Sequence, residues 1–100
     1  MASKDIAFLS DLENIIHERL KNPNSESYTA QLVKAGTKRI AQKLGEEGVE
    51  LALAAAAGSQ DEVIDEAADL MYHLLVLLAD QELTLGAVSR RLKARHSSQD

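Results

Sequence analysis

Apolar residues recur at helical spacing along almost the whole chain. In "FLSDLENIIHERL", Phe8, Leu9, Leu12, Ile15, Ile16 and Leu20 form one stripe, which predicts a first helix over about residues 4–21. "KNPNSESYT", with Pro23 and several turn-forming Asn and Ser residues, is the single clear loop. "TAQLVKAG" predicts a short helix that Gly36 stops or kinks, and Thr37 stands where it can cap a long helix running to about Ala57 and ending at Gly58. Ser59 followed by Glu62 is a capping-box pattern, so the next helix starts near Gln60 and continues to about Gln81. Thr84 can cap a last helix that holds Val88 and Leu92. Arg90, Arg91, Lys93 and Arg95 lie toward its C-terminus, where cations suit the helix dipole. Residues 96–100 read as a frayed tail. With no period-2 strand and no internal repeat, the expectation is an all-α bundle of four main helices forming one domain over residues 1–100.

Two stretches depart from ordinary amphipathic helices. "LALAAAA" is small on every side, so another helix axis can approach it closely. "LMYHLLVLLA" is apolar nearly all round, and a helix of that kind must be buried. Because a four-helix monomer cannot easily cover it, the sequence predicts a homodimer that completes the bundle. A domain of 100 residues has little surplus stability, which oligomerisation would increase.

Composition narrows the class of function. There is no cysteine, which excludes a disulfide framework, a zinc–thiolate site and a cysteine nucleophile. The net charge is −5, with one phenylalanine, two tyrosines and no tryptophan, so neither the basic footprint nor the stacking aromatics of a nucleic-acid binder are present. "MASKDIAFLSDLENII" carries acids where a signal peptide needs an apolar run. The longest apolar stretch, Leu70 to Ala79, is about half a membrane span. A cytoplasmic protein that engages neither membrane nor nucleic acid is expected. If such an acidic chain handled polyphosphate, metal ions would have to neutralise both partners.

The chemistry concentrates in "KLGEEGVE". At 100° per residue Glu46 and Glu50 lie about 40° apart and Glu47 and Glu50 about 60° apart, so all three acids share one sector. Gly45 and Gly48 sit among them, each costing roughly 1 kcal/mol against alanine in a helix interior. They admit a ligand or a neighbouring helix near the backbone, or serve tight helix packing. On the next helix Glu66 and Asp69 are i, i+3 neighbours beside the apolar Val63 and Leu70. A short link at Gly58–Ser59 makes the two helices antiparallel, and Glu50 and Glu66 are equally far from that turn. The acid clusters therefore stand at one height and can face each other. Partly desolvated carboxylates held together repel or take up protons. A hard divalent cation such as Mg²⁺ turns the repulsion into coordination. The plain alternative is a solvated acidic face.

"KLGEEGVE" followed after a short gap by "DEAADLMYHLLVLLAD" resembles phosphoribosyl-ATP pyrophosphohydrolase of histidine biosynthesis. That family lies within the MazG-like all-α nucleoside triphosphate pyrophosphohydrolases, whose signature is EExxE followed by ExxD. The resemblance extends over "RLKNPNSESYTAQL", the Lys43–Gly45 lead-in and "ADLMYHLLVLL", about residues 9–92 in all, with Gly48 standing where the family more often has alanine. It implies a MazG-like fold and Mg²⁺-dependent hydrolysis of phosphoribosyl-ATP to phosphoribosyl-AMP and pyrophosphate, the second step of the pathway. It also implies Glu47, Glu50, Glu66 and Asp69 as metal ligands. Glu46, in the same sector but one position off, is the candidate for holding a second metal or accepting the proton of the attacking water, so Glu46 and Glu47 are the candidate catalytic pair.

Substrate contacts are expected, from the same resemblance, at Arg19, Ser27, Tyr28, Thr29 and Lys43. Lys43 is also one turn from Glu47 and can pair with it, and Ser27 and Thr29 can serve as helix caps. Arg91 and Arg95, spaced i, i+4, suit either a ribosyl phosphate reached from a second subunit or a surface pair at a helix end. Lys38 and Arg39 read as a solvated face, and His73 as a hydrogen-bonded core or interface residue. Two other functions stay open at this level: a housecleaning enzyme acting on dNTPs, and a non-enzymatic helical dimerisation module.

Overall fold

The computed structural model describes residues 2–22 and 26–99. Pro23, in the loop read from the sequence, and Asp100, at the end of the tail, lie outside the described residues. Five helices follow one another: α1 (Ala2–Lys21), α2 (Tyr28–Ala35), α3 (Thr37–Ala57), α4 (Gln60–Asp80) and α5 (Leu85–Gln99). No strand occurs among the described residues, so the fold is all-α. The last helix continues through Gln99, where the sequence predicts fraying from residue 96.

The helix boundaries follow local chemistry. Ser27 caps α2 by accepting from the Ala30 N–H at 3.1 Å. Gly36 then ends α2 and opens α3 with φ +101°, a conformation that favours glycine. Its N–H donates to the carbonyls of Leu32 and Val33, and its own carbonyl accepts from the amides of Arg39 and Ile40. Thr37 does not cap α3 as the sequence suggested. Gly36 holds the cap position, and the Thr37 hydroxyl donates instead to Asp80 Oδ2 at 2.8 Å, tying the start of α3 to the end of α4. At the opposite end of that pair, a side chain at Gly58 would come within 2.9 Å of the Ala54 carbonyl oxygen, so the turn excludes it. Ser59 and Glu62 form the expected capping box, with bonds of 2.9 and 3.2 Å. For α5, Thr84 Oγ1 accepts from the Ala87 amide, and Glu13 of α1 accepts from the Leu85 amide at 2.7 Å.

Helices α3 and α4 form the most extensive pairing in the chain, and α1 and α2 pack across them. Ile16, Leu32, Ile40, Leu75, Val76 and Ala79 form the core, joined at its edge by Leu12, Leu20, Val33, Tyr72, Leu77 and Leu85. Full burial of each large aliphatic side chain stabilises the fold by about 1.5–3 kcal/mol. The stripe read along α1 is wider than the face that packs. Ile16 is buried and Leu9, Leu12 and Leu20 are half-buried, whereas Phe8 and Ile15 face outward.

The apolar stretch of α4 is covered more completely than the sequence suggested. His73, Leu75, Val76, Leu78 and Ala79 are buried, and Leu70, Met71, Tyr72, Leu74 and Leu77 are half-buried. The short α2, together with α1 and α3, supplies cover that a count of long helices overlooks. The large apolar residues left exposed on this pair are Val49, Leu53 and Ile64. None of the described helices is long and apolar enough to cross a membrane.

Candidate active site

The antiparallel α3–α4 pair brings the two acid clusters together. Glu47 of α3 and Glu66 and Asp69 of α4 each present an oxygen, and the three atoms lie within 4.8 Å of one another. Glu50, one turn beyond Glu47, lines a cavity together with Glu66 and Asp69, and its charge acts on Glu66. Three of the four carboxylates that the sequence offers as metal ligands, Glu47, Glu66 and Asp69, are thus gathered at one place, and Glu50 stands beside Glu66 and Asp69 on the cavity wall.

Glu47 is the most informative of them. It is only 5% exposed, and its Oε2 has no hydrogen-bond partner among the described residues. Its other oxygen lies 3.6 Å from Lys43 Nζ. A buried carboxylate oxygen left dry and unpaired costs free energy, and native structures seldom keep one without a reason. An all-oxygen donor set with a dry, unpartnered member suits a hard cation. The Glu66 carboxyl lies above the ordinary carboxylate range. Loss of surrounding water raises it most, followed by the charge of Glu50, the hydrogen bond with Glu50, and the charges of Glu47 and Asp69. Each cause favours the neutral acid, and a cation in the cluster would oppose all the charge contributions.

Glu46 turns the other way. Its Oε2 accepts from Gln42 at 3.1 Å and its Oε1 lies 3.8 Å from Lys43, leaving it half exposed and outside the cluster. Lys43 therefore stands between Glu46 and Glu47. Gly45 and Gly48 leave open space: a side-chain carbon added at either would meet nothing within 4 Å. Packing among the described residues does not require them.

A cavity of about 660 Å³ extends from Glu50, Glu66 and Asp69 to the Gly58 turn, floored by Leu53, Ala54 and Ala57 and edged by Glu62 and Asp65. The sequence reading missed this apolar floor, although "LALAAAA" on the helix carrying the acids was a usable signal. Arg19 and Arg91 are exposed and do not line the cavity.

The SYT segment is placed on α4 one turn beyond Asp69. Besides the Ser27 cap, the Tyr28 hydroxyl bonds His73 Nε2 at 2.9 Å, and Thr29 Oγ1 bonds the Tyr72 hydroxyl. Tyr72 was not singled out from the sequence, although it and His73 fall three and four residues after Asp69, on the same helical face.

A sequence model of the family described as phosphoribosyl-ATP pyrophosphohydrolase matches residues 9–96. The chain belongs to this family. Among curated relatives, it is 56% identical over 94 residues to a protein of Campylobacter jejuni named histidine biosynthesis bifunctional protein HisIE. It is 57% identical over 91 residues to the protein of that name from Vibrio cholerae, and 55% identical over 95 residues to that from Salmonella typhimurium. The alignments cover 94%, 91% and 95% of this chain but 45%, 43% and 47% of those relatives, so the chain spans about half their length. Family membership includes the acid cluster, the SYT segment and all of α3 and α4 within the matched region.

Proposed function

We propose that this chain hydrolyses phosphoribosyl-ATP to phosphoribosyl-AMP and pyrophosphate, in the cytoplasm and with Mg²⁺. The supporting observation is the unpartnered, buried Oε2 of Glu47 beside the carboxylates of Glu66 and Asp69, in a chain of the phosphoribosyl-ATP pyrophosphohydrolase family. Glu47, Glu50, Glu66 and Asp69 would hold the metal, which when bound would neutralise polyphosphate charge and make a water molecule a better nucleophile.

The chain's own residues divide the remaining work. Attack of water on the α-phosphorus breaks its bond to the bridging oxygen, and pyrophosphate leaves with that oxygen. Glu47 ties the site to the helix interior. Glu46, held outside the cluster by Gln42 and Lys43, takes the proton released by the attacking water only after leaving these partners and turning inward. Lys43 exchanges its carboxylate partners for a substrate phosphate. Arg19 and Arg91, exposed on α1 and α5, are the candidates for the additional phosphate that distinguishes phosphoribosyl-ATP from a plain nucleotide, and Ser27, Tyr28 and Thr29 form the adjoining substrate segment. A homodimer is part of this proposal, with the exposed Val49, Leu53 and Ile64 as its contact, since Leu53 also floors the cavity.

The test is pyrophosphate release with Mg²⁺ from phosphoribosyl-ATP beside ATP and a panel of dNTPs. Phosphoribosyl-ATP should be preferred by roughly ten- to hundredfold in kcat/KM, the worth of one charge-assisted hydrogen bond. Equal turnover of a dNTP would establish the housecleaning reading instead.

A further inference from the structure

His73 has a defined tautomer. Its Nδ1 lies 2.7 Å from the backbone carbonyl of Asp69, which can only accept, so Nδ1 carries the proton. In the neutral ring Nε2 then has a lone pair, which accepts from the Tyr28 hydroxyl at 2.9 Å. The chain Tyr28 hydroxyl to His73 ring to Asp69 carbonyl is continuous, and its central residue is only 5% exposed. The ring is also held edge-on against Tyr28 and Tyr72, with centroids 5.7 and 5.4 Å away. These contacts fix the imidazole in position and orientation. It grips the turn of α4 that carries Asp69, with Glu66 one turn earlier on the same face.

We infer that Tyr28 and His73 act as a positioning pair, through which the segment opening α2 sets the register of the Asp69 turn against Glu47. This inference rests on the reading of Asp69 as a metal ligand. Groups that orient ligands from behind commonly control metal affinity. Here the control passes through the backbone of the ligand residue. Tyr28 then acts through His73 rather than by touching substrate.

The test uses Tyr28→Phe, which deletes the hydroxyl and keeps the ring, and His73→Asn, which keeps a donor near the Nδ1 position and loses the acceptor for Tyr28. Binding of Mn²⁺ alone is measured at fixed pH by electron paramagnetic resonance, and kcat and KM for phosphoribosyl-ATP are measured at one Mg²⁺ concentration, set near the wild-type dissociation constant. Each single variant should bind Mn²⁺ roughly three- to tenfold more weakly, the worth of one hydrogen bond, and kcat should fall with KM unchanged. The double variant should be no worse than either single one, since both break the same link. A rise in KM with Mn²⁺ affinity intact would make Tyr28 a substrate contact and overturn the inference. A lower melting temperature with unchanged Mn²⁺ affinity and kcat would overturn it too, as would losses that simply add in the double variant. Failure of the wild-type protein to bind Mn²⁺ would remove the metal reading itself, and this inference with it.

Discussion

Replacing Glu47 with leucine should stabilise the metal-free protein while abolishing its activity. Glu47 is 5% exposed with one oxygen unpartnered, and leaving such a buried polar atom unsatisfied costs about 1–3 kcal/mol. What the substitution loses is the contact with Lys43 at 3.6 Å. That lysine is 24% exposed, so the pair contributes at most about 1 kcal/mol. After the substitution Lys43 keeps Glu46, 3.8 Å away, as a partner. The relief exceeds the loss, leaving a net gain of about 1–2 kcal/mol. For a domain of this size each kcal/mol moves the melting temperature by roughly 4–8 °C, so Glu47→Leu should melt roughly 4–16 °C higher in EDTA. Adding Mg²⁺ should raise the wild-type midpoint by mass action and leave the variant unmoved. A lower midpoint for Glu47→Leu in EDTA would refute the reasoning, because it would mean that Glu47 is satisfied without a metal.

Glu50→Gln and Asp69→Asn should each abolish pyrophosphate release with helical circular dichroism unchanged, since each keeps shape and removes a charge that Mg²⁺ needs. The raised Glu66 pKa means that the folded, metal-free chain binds more protons than the unfolded one between the unfolded and folded values, so this residue lowers stability as pH rises through that window. Glu66→Gln should therefore gain on wild type in denaturant melts as pH rises through the carboxylate range and stay ahead above it. Ser59→Ala should cost about 1 kcal/mol through the lost cap. The Ser59 amide and hydroxyl lower the Glu62 pKa, a contribution present above the unfolded carboxylate value and lost as pH falls through the folded one; the variant keeps the amide and lacks only the hydroxyl's share, so its deficit should shrink slightly in acid. Light scattering at micromolar concentration should report a dimer, and Leu53→Glu should shift it toward monomer.

The helix order and the facing of the two acid clusters were legible because each rests on local rules. Apolar spacing gives the helices, the Ser59–Glu62 box gives the start of α4, and equal distances from the Gly58 turn put Glu50 opposite Glu66. What could not be read depends on which face each helix presents to the others. Thr37 lost its expected cap role because Gly36 took the position and Asp80, distant in sequence, was within reach of the hydroxyl. Glu46 and Glu47 are adjacent in one sector, yet one faces Gln42 and solvent and the other the interior, a split that 100° per residue allows but does not assign. The cover over "LMYHLLVLLA" comes partly from Tyr28, Thr29 and Leu32 of the eight-residue α2, whose tertiary contacts no periodicity announces. The Tyr28–His73 link likewise joins residues 45 positions apart.

The claim that most of this account depends on is that Glu47, Glu66 and Asp69 hold a divalent cation, and anomalous diffraction from a crystal soaked in Mn²⁺ tests it most directly. A peak among these carboxylates, with Glu47 Oε2 within coordination distance, is the predicted result. A fully occupied Mn²⁺ elsewhere on the chain, with Glu47 Oε2 still bare, would contradict it.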